Sequence, residues 1–151
     1  MSADLIFSIC NTAIIPAWLL LVFLPRWKWT LSLVTTVIVP FILALLYGGM
    51  FASRLGTLPE EGGFGSLEGV MAFFADPYLL TIGWVHYLAF DLFVGSWEVH
   101  DSQKLGISHW LVVPCLLCTF MLGPIGLGLY LMLRYVTKRQ LLAFEPVQSQ
   151  A

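Results

Sequence analysis

The chain alternates long uncharged apolar runs with short polar breaks. Three runs, 5–24, 30–50 and 110–133, contain no Asp, Glu, Lys or Arg. Each is close to the length, about 20 residues, that a helix needs to cross the hydrocarbon layer. A fourth run of similar length, 77–97, carries His86 and Asp91. The pattern predicts four membrane spans. Between the second and third spans, Leu67, Val70, Met71 and Phe74 recur at helical spacing behind Ser66. They predict a short interfacial helix over 66–75 with Ser66 as its N-cap. Asp76-Pro77 is a start signal for the third span, because proline suits the first helical position.

The expected fold is therefore all-α: a polytopic membrane protein, a four-transmembrane-helix bundle in one domain, 1–139, followed by a mobile tail over 140–151. Pro25 to Trp29 and the stretch from Glu98 to His109 are the two turns on one membrane face, where Trp27, Trp29, Trp97 and Trp110 also fall. That face carries Arg26, Lys28 and Lys104, against Arg54, Arg134, Lys138 and Arg139 on the other. The positive-inside rule then favours both termini in the cytoplasm. Pro16, Pro40, Pro114 and Pro124 lie inside spans and allow kinks, while Gly123, Gly126 and Gly128 allow close helix approach.

Composition agrees with a membrane protein: 59% of residues are hydrophobic and 11% charged, against about a quarter charged in soluble domains. A formal net charge of −2 and the absence of any basic block exclude nucleic acid as a partner and leave membrane lipid. Cys10, Cys115 and Cys118 all fall in apolar runs and read as small hydrophobes. Met1 to Asp4 offers an acid rather than the basic start of a signal peptide, so the first span is expected to stay in the protein.

The chemistry concentrates between Gly83 and Asp101. Asp91 and Glu98, seven apart, share one helix face with Trp84, Leu88 and Gly95, the two acids about 10.5 Å apart along the axis. His86 sits about 140° around from Asp91, so the two meet only across a bordering cavity or through a π-bulge. A carboxyl in mid-span is costly and is a candidate proton donor. The structural alternative is an interhelical hydrogen bond from His86 or Asp91 to Asn11, Thr35, Thr36 or Thr119. His100, Asp101, Arg26 and Lys28 read as a solvated ion-pair cluster at helix ends, whereas Glu98 and His109 fit either a structural or a functional role.

The runs 62–67 and 83–95, Trp97-Glu98, Val113-Pro-Cys115 and 120–126 resemble the abscisic-acid-deficient-four family of small membrane proteins, whose plant members act in neoxanthin synthesis. The likeness covers nearly all of the first 135 residues. With no Ser/Arg-rich transit segment before the first span, the chain looks like a bacterial member, placed in the inner membrane. The resemblance implies an isomerisation of a carotenoid in which a ring epoxide opens and a chain carbon loses a proton to form an allene. From residue chemistry, Asp91 is the acid and His86 the base, with Glu98 nearby. Trp84, Tyr87, Phe90, Phe93 and Asn11 are the expected ligand-binding residues, lining a groove for a carotenoid or related isoprenoid. Two other readings stand beside this enzyme. One is a non-catalytic pigment- or lipid-binding or assembly subunit. The other is an iron or haem site formed by His86, Asp91, Glu98 and His109. A lipid-facing groove or the seam of a homodimer would accommodate a long ligand.

Overall fold

The computed structural model describes residues 2–30, 33–34 and 38–139. Among them the chain is all helix: α1 Ala3–Phe23, α2 Lys28–Thr30, α3 Ile38–Ala52, α4 Leu67–Phe74, α5 Pro77–Lys104, α6 His109–Leu122 and α7 Pro124–Lys138. Two of these, α1 and α5, are long and apolar enough to cross a membrane. The expected tail over 140–151, together with Thr35 and Thr36, lies outside the described residues.

Local signals place the helix starts. Ser2 caps α1 by accepting from Leu5 N at 3.3 Å, and Ser66 caps α4 by accepting from Gly69 N at 3.0 Å. Asp76 Oδ1 accepts from Tyr78 N at 2.8 Å and Leu79 N at 2.9 Å, with Pro77 opening α5. These bonds satisfy amide groups that a helix start otherwise leaves without partners.

The 28-residue α5 is the axis of the fold. Helix α1 runs parallel to it: Asn11 meets Trp84, Trp18 packs on Gly95, and Gln103 Nε2 donates to Pro25 O at 3.0 Å. The chain turns at 24–30, where Thr30 Oγ1 donates to Leu24 O at 2.7 Å, and descends on another side of α5. On the way down, Ser96 Oγ donates to Val34 O, Tyr47 of α3 packs on His86, and Arg54 reaches Tyr78. One end of the bundle therefore holds Ser2, the 53–66 connector and α4. The other holds the 24–30 and 105–108 turns.

The last run departs from the expectation. The stretch 110–133 is not one crossing: Gly123, at φ 49°, breaks it into α6 and α7. α6 descends along α5 as far as Asp91, which sits against Gly123. α7 then climbs back, so that Tyr130 and Arg134 both reach Asp101 and Lys138 comes to rest beside Gly106. The two helices form an antiparallel hairpin that covers only the upper half of α5. Two features cause the reversal. The positive φ at Gly123 suits glycine, and Pro124 has no amide hydrogen with which to continue α6. Gly126 then lets α7 approach the Thr119 backbone closely.

Two expectations change with it. Arg139, the last described residue, lies at the turn end of the bundle, opposite Ser2, the first. In addition, the third helix continues beyond 97 to Lys104, because Glu98 and Asp101 face the hairpin rather than a solvated turn.

Candidate functional site

One stripe of α5 carries Trp84, Tyr87, Asp91, Gly95 and Glu98, and the hairpin divides it into two environments. Above Gly123 the stripe is sealed. Glu98 is 0% exposed; Thr119 Oγ1 donates to its Oε1 at 2.9 Å, while its Oε2 has no partner among the described residues. A turn further on, Asp101 Oδ2 accepts from Tyr130 Oη at 2.6 Å and pairs with Arg134 Nε at 2.8 Å. This buried cluster replaces the solvated ion pair expected of Asp101, because α7 folds back to cover it.

Below Gly123 the same stripe is open. Trp84 stacks on Tyr87 at 5.2 Å between ring centres and lies 5.5 Å from Phe7 of α1. Its indole Nε1 donates to Asn11 Oδ1 at 2.7 Å, which fixes the ring plane. Trp84 is 36% exposed and Tyr87 half-buried, so below the tip of the hairpin these rings are left uncovered. Asp91 stands just under the hairpin tip, 8% exposed and packed with Tyr87 against Gly123, its Oδ2 without a partner among the described residues. An acid beneath a hairpin tip, above a flat aromatic wall, suits an apolar ligand that carries one polar oxygen.

The structure thus gathers Asn11, Trp84, Tyr87 and Asp91. It does not bring His86 to them. α5 is regular through this region, with no π-bulge, and His86 lies on another face, 4.5 Å from Phe90 and 5.7 Å from Tyr47 between ring centres. Phe90 and Phe93 point outward, 58% and 47% exposed. His109 Nε2 pairs with the Val22 carbonyl at 2.8 Å, tying α6 to the end of α1. Among the described residues no three of His, Cys, Asp or Glu sit close enough to share a metal ion. His86, Asp91, Glu98 and His109 therefore do not converge on one point. Asn11 and Thr119, expected as partners of His86 or Asp91, instead serve Trp84 and Glu98.

Sequence reasoning missed Gly123 as a turn and the cluster of Tyr130 and Arg134 on Asp101. A signal was present: Gly126, Tyr130 and Arg134 recur every four residues and are the buried residues of α7.

A family model described as ABA DEFICIENT 4-like matches residues 5–130, from the first turn of α1 to the middle of α7. No curated protein and no solved structure matches the chain.

Proposed function

Because the chain belongs to the ABA DEFICIENT 4-like family, we propose that it is an integral membrane protein whose recess beneath the hairpin binds and isomerises a carotenoid or related isoprenoid. The observation that carries this reading is Asp91, buried beside the Trp84–Tyr87 ring pair with one carboxyl oxygen that has no partner among the described residues. In the bilayer, α1, the stretch ending in α3, and α5 cross, and the hairpin enters about halfway. Large apolar side chains on the outer surface, among them Ile15, Leu19, Phe41, Leu45 and Ile125, support a lipid surround.

Isomerisation returns the proton it borrows, so one carboxyl suffices. Asp91 gives its proton to the ring oxygen as the carbon–oxygen bond breaks, and the resulting carboxylate takes a proton from the neighbouring chain carbon. The Trp84 and Tyr87 rings orient the polyene plane and exclude water. His86, on the other face, takes no part, and Glu98 is sealed in the seam away from the recess.

The test is Asp91→Asn, expressed in carotenoid-producing cells whose pigments are extracted and separated. Product formation is expected to fall by at least about 100-fold, the usual share of general acid–base catalysis, while the protein stays folded in the membrane. Unchanged product formation would remove Asp91 from the chemistry. A pigment that copurifies with the wild type unaltered would mark a binding protein instead.

The hairpin also reverses the reading of orientation. With α7 climbing back, Arg26, Lys28, Lys104, Lys138 and Arg139 gather at the turn end, and Arg54 is the one basic residue at the other. The positive-inside rule places the turn end in the cytoplasm and Ser2 outside. A reporter active only in the cytoplasm is expected to work when fused after Arg139 and to be silent when fused before Ser2. Activity at both ends would refute the hairpin topology.

A further inference from the structure

On the far side of α1 from the recess, α1 and α3 splay apart over the first turn of α5. They leave a groove of about 480 Å³, within the size range of small-molecule sites. Ile6 and Ile9 form one wall, Leu45, Leu46 and Gly49 the other, and Tyr78 closes the end. Arg54, next in sequence to Ser53 of the lining, lies over the Tyr78 ring with its guanidinium carbon 4.2 Å from the ring centre, so a cation is held against a residue that lines the groove. Five acids occupy this end of the bundle, Asp4, Glu60, Glu61, Glu68 and Asp76. None of them pairs with Arg54, since the one ion pair among the described residues is Arg134 with Asp101.

We propose that this groove is a binding site for a phospholipid with an anionic headgroup, one acyl chain lying between α1 and α3 and the phosphate on Arg54. The Arg54 guanidinium, rather than the net charge of this end, selects the occupant. A guanidinium held by an aromatic ring, with its donors not taken by any carboxylate, matches a phosphodiester in fork geometry. The slot beneath it has the apolar lining an acyl chain requires. The site is distinct from the recess at Asp91 and does not depend on the isomerase reading.

Gly49 supplies a clean test, because a Cβ added there meets nothing within 4 Å and a large side chain enters the groove without displacing backbone. Wild type, Arg54→Gln and Gly49→Phe are extracted in mild detergent from vesicles of equal phosphatidylglycerol and phosphatidylcholine doped with a prenyl phosphate. Retained lipid is then counted by native mass spectrometry. The wild type is expected to hold one phosphatidylglycerol. Arg54→Gln is expected to lower that retention about tenfold, the worth of one charge-assisted hydrogen bond. Gly49→Phe is expected to abolish it with an unchanged melting temperature. Three results overturn the proposal: equal retention of phosphatidylcholine, preference for the prenyl phosphate, or phosphatidylglycerol retention that neither substitution changes.

Discussion

Replacing Arg134 with leucine is expected to destabilise the protein by about 3–5 kcal/mol, the usual consequence of stripping one partner from a buried ion pair. Arg134 is 4% exposed, and its Nε lies 2.8 Å from Asp101 Oδ2. Without it, Asp101 keeps the Tyr130 hydroxyl but sits as an uncompensated charge between α5 and α7. The double variant Asp101→Leu with Arg134→Leu is expected to recover most of the loss, since both desolvation penalties vanish together. Thermal unfolding of the three proteins in detergent decides the matter. A single variant as stable as the wild type would mean the pair contributes nothing to closing the hairpin.

Gly126→Val is expected to do comparable harm by a different route. A Cβ at this position collides with the backbone N and Cα of Thr119 and with its hydroxyl oxygen. Backbone cannot swing aside as a flexible side chain can, so α7 must lift away from α6. The expected cost is at least about 3 kcal/mol, the upper end of overpacking penalties. Displacing Thr119 also removes the donor to Glu98 and leaves a fully buried carboxyl without its one hydrogen bond. The opening is read from Cys115, buried in α6 in the wild type and expected to become reactive to a membrane-permeant maleimide in the variant. If Cys115 stays protected and the melting temperature holds, the close approach of the two helices is not what secures the hairpin.

Much of the fold is legible in residue order because the relevant signals are local. Ser66 and Asp76 announce helix starts through bonds to amides two or three residues away, Pro77 through its fixed φ, and an uncharged run shows its own length. The hairpin is not legible in this way. The run 110–133 is as uniformly apolar as a true span, and hydropathy cannot tell a crossing from a reversal. The reversal depends on Gly123 adopting a positive φ and on Gly126 admitting the Thr119 backbone, and both are tertiary demands. The site divides along the same line. Asp91, Glu98 and Trp84 share a stripe by simple helix arithmetic, and that survives. The pairing of His86 with Asp91 does not, since a regular helix holds them about 140° apart. Asp101 was misjudged because its partners are some thirty residues away and come into reach only through the turn.

Under the proposed membrane topology, the half-length hairpin gives the protein unequal widths in the two leaflets. Toward Ser2 the hydrocarbon would be met by α1, α3 and α5; toward Arg139 it would be met by α1, α5, α6 and α7. Each helix fills roughly 100 Å² in the membrane plane, from a diameter of about 10–12 Å. The added pair would therefore displace on the order of 200 Å² more lipid from the leaflet at the turn end. In that topology the molecule is a wedge on which lateral pressure acts asymmetrically: a membrane bulging toward the turn end would accommodate it with less strain than a flat one.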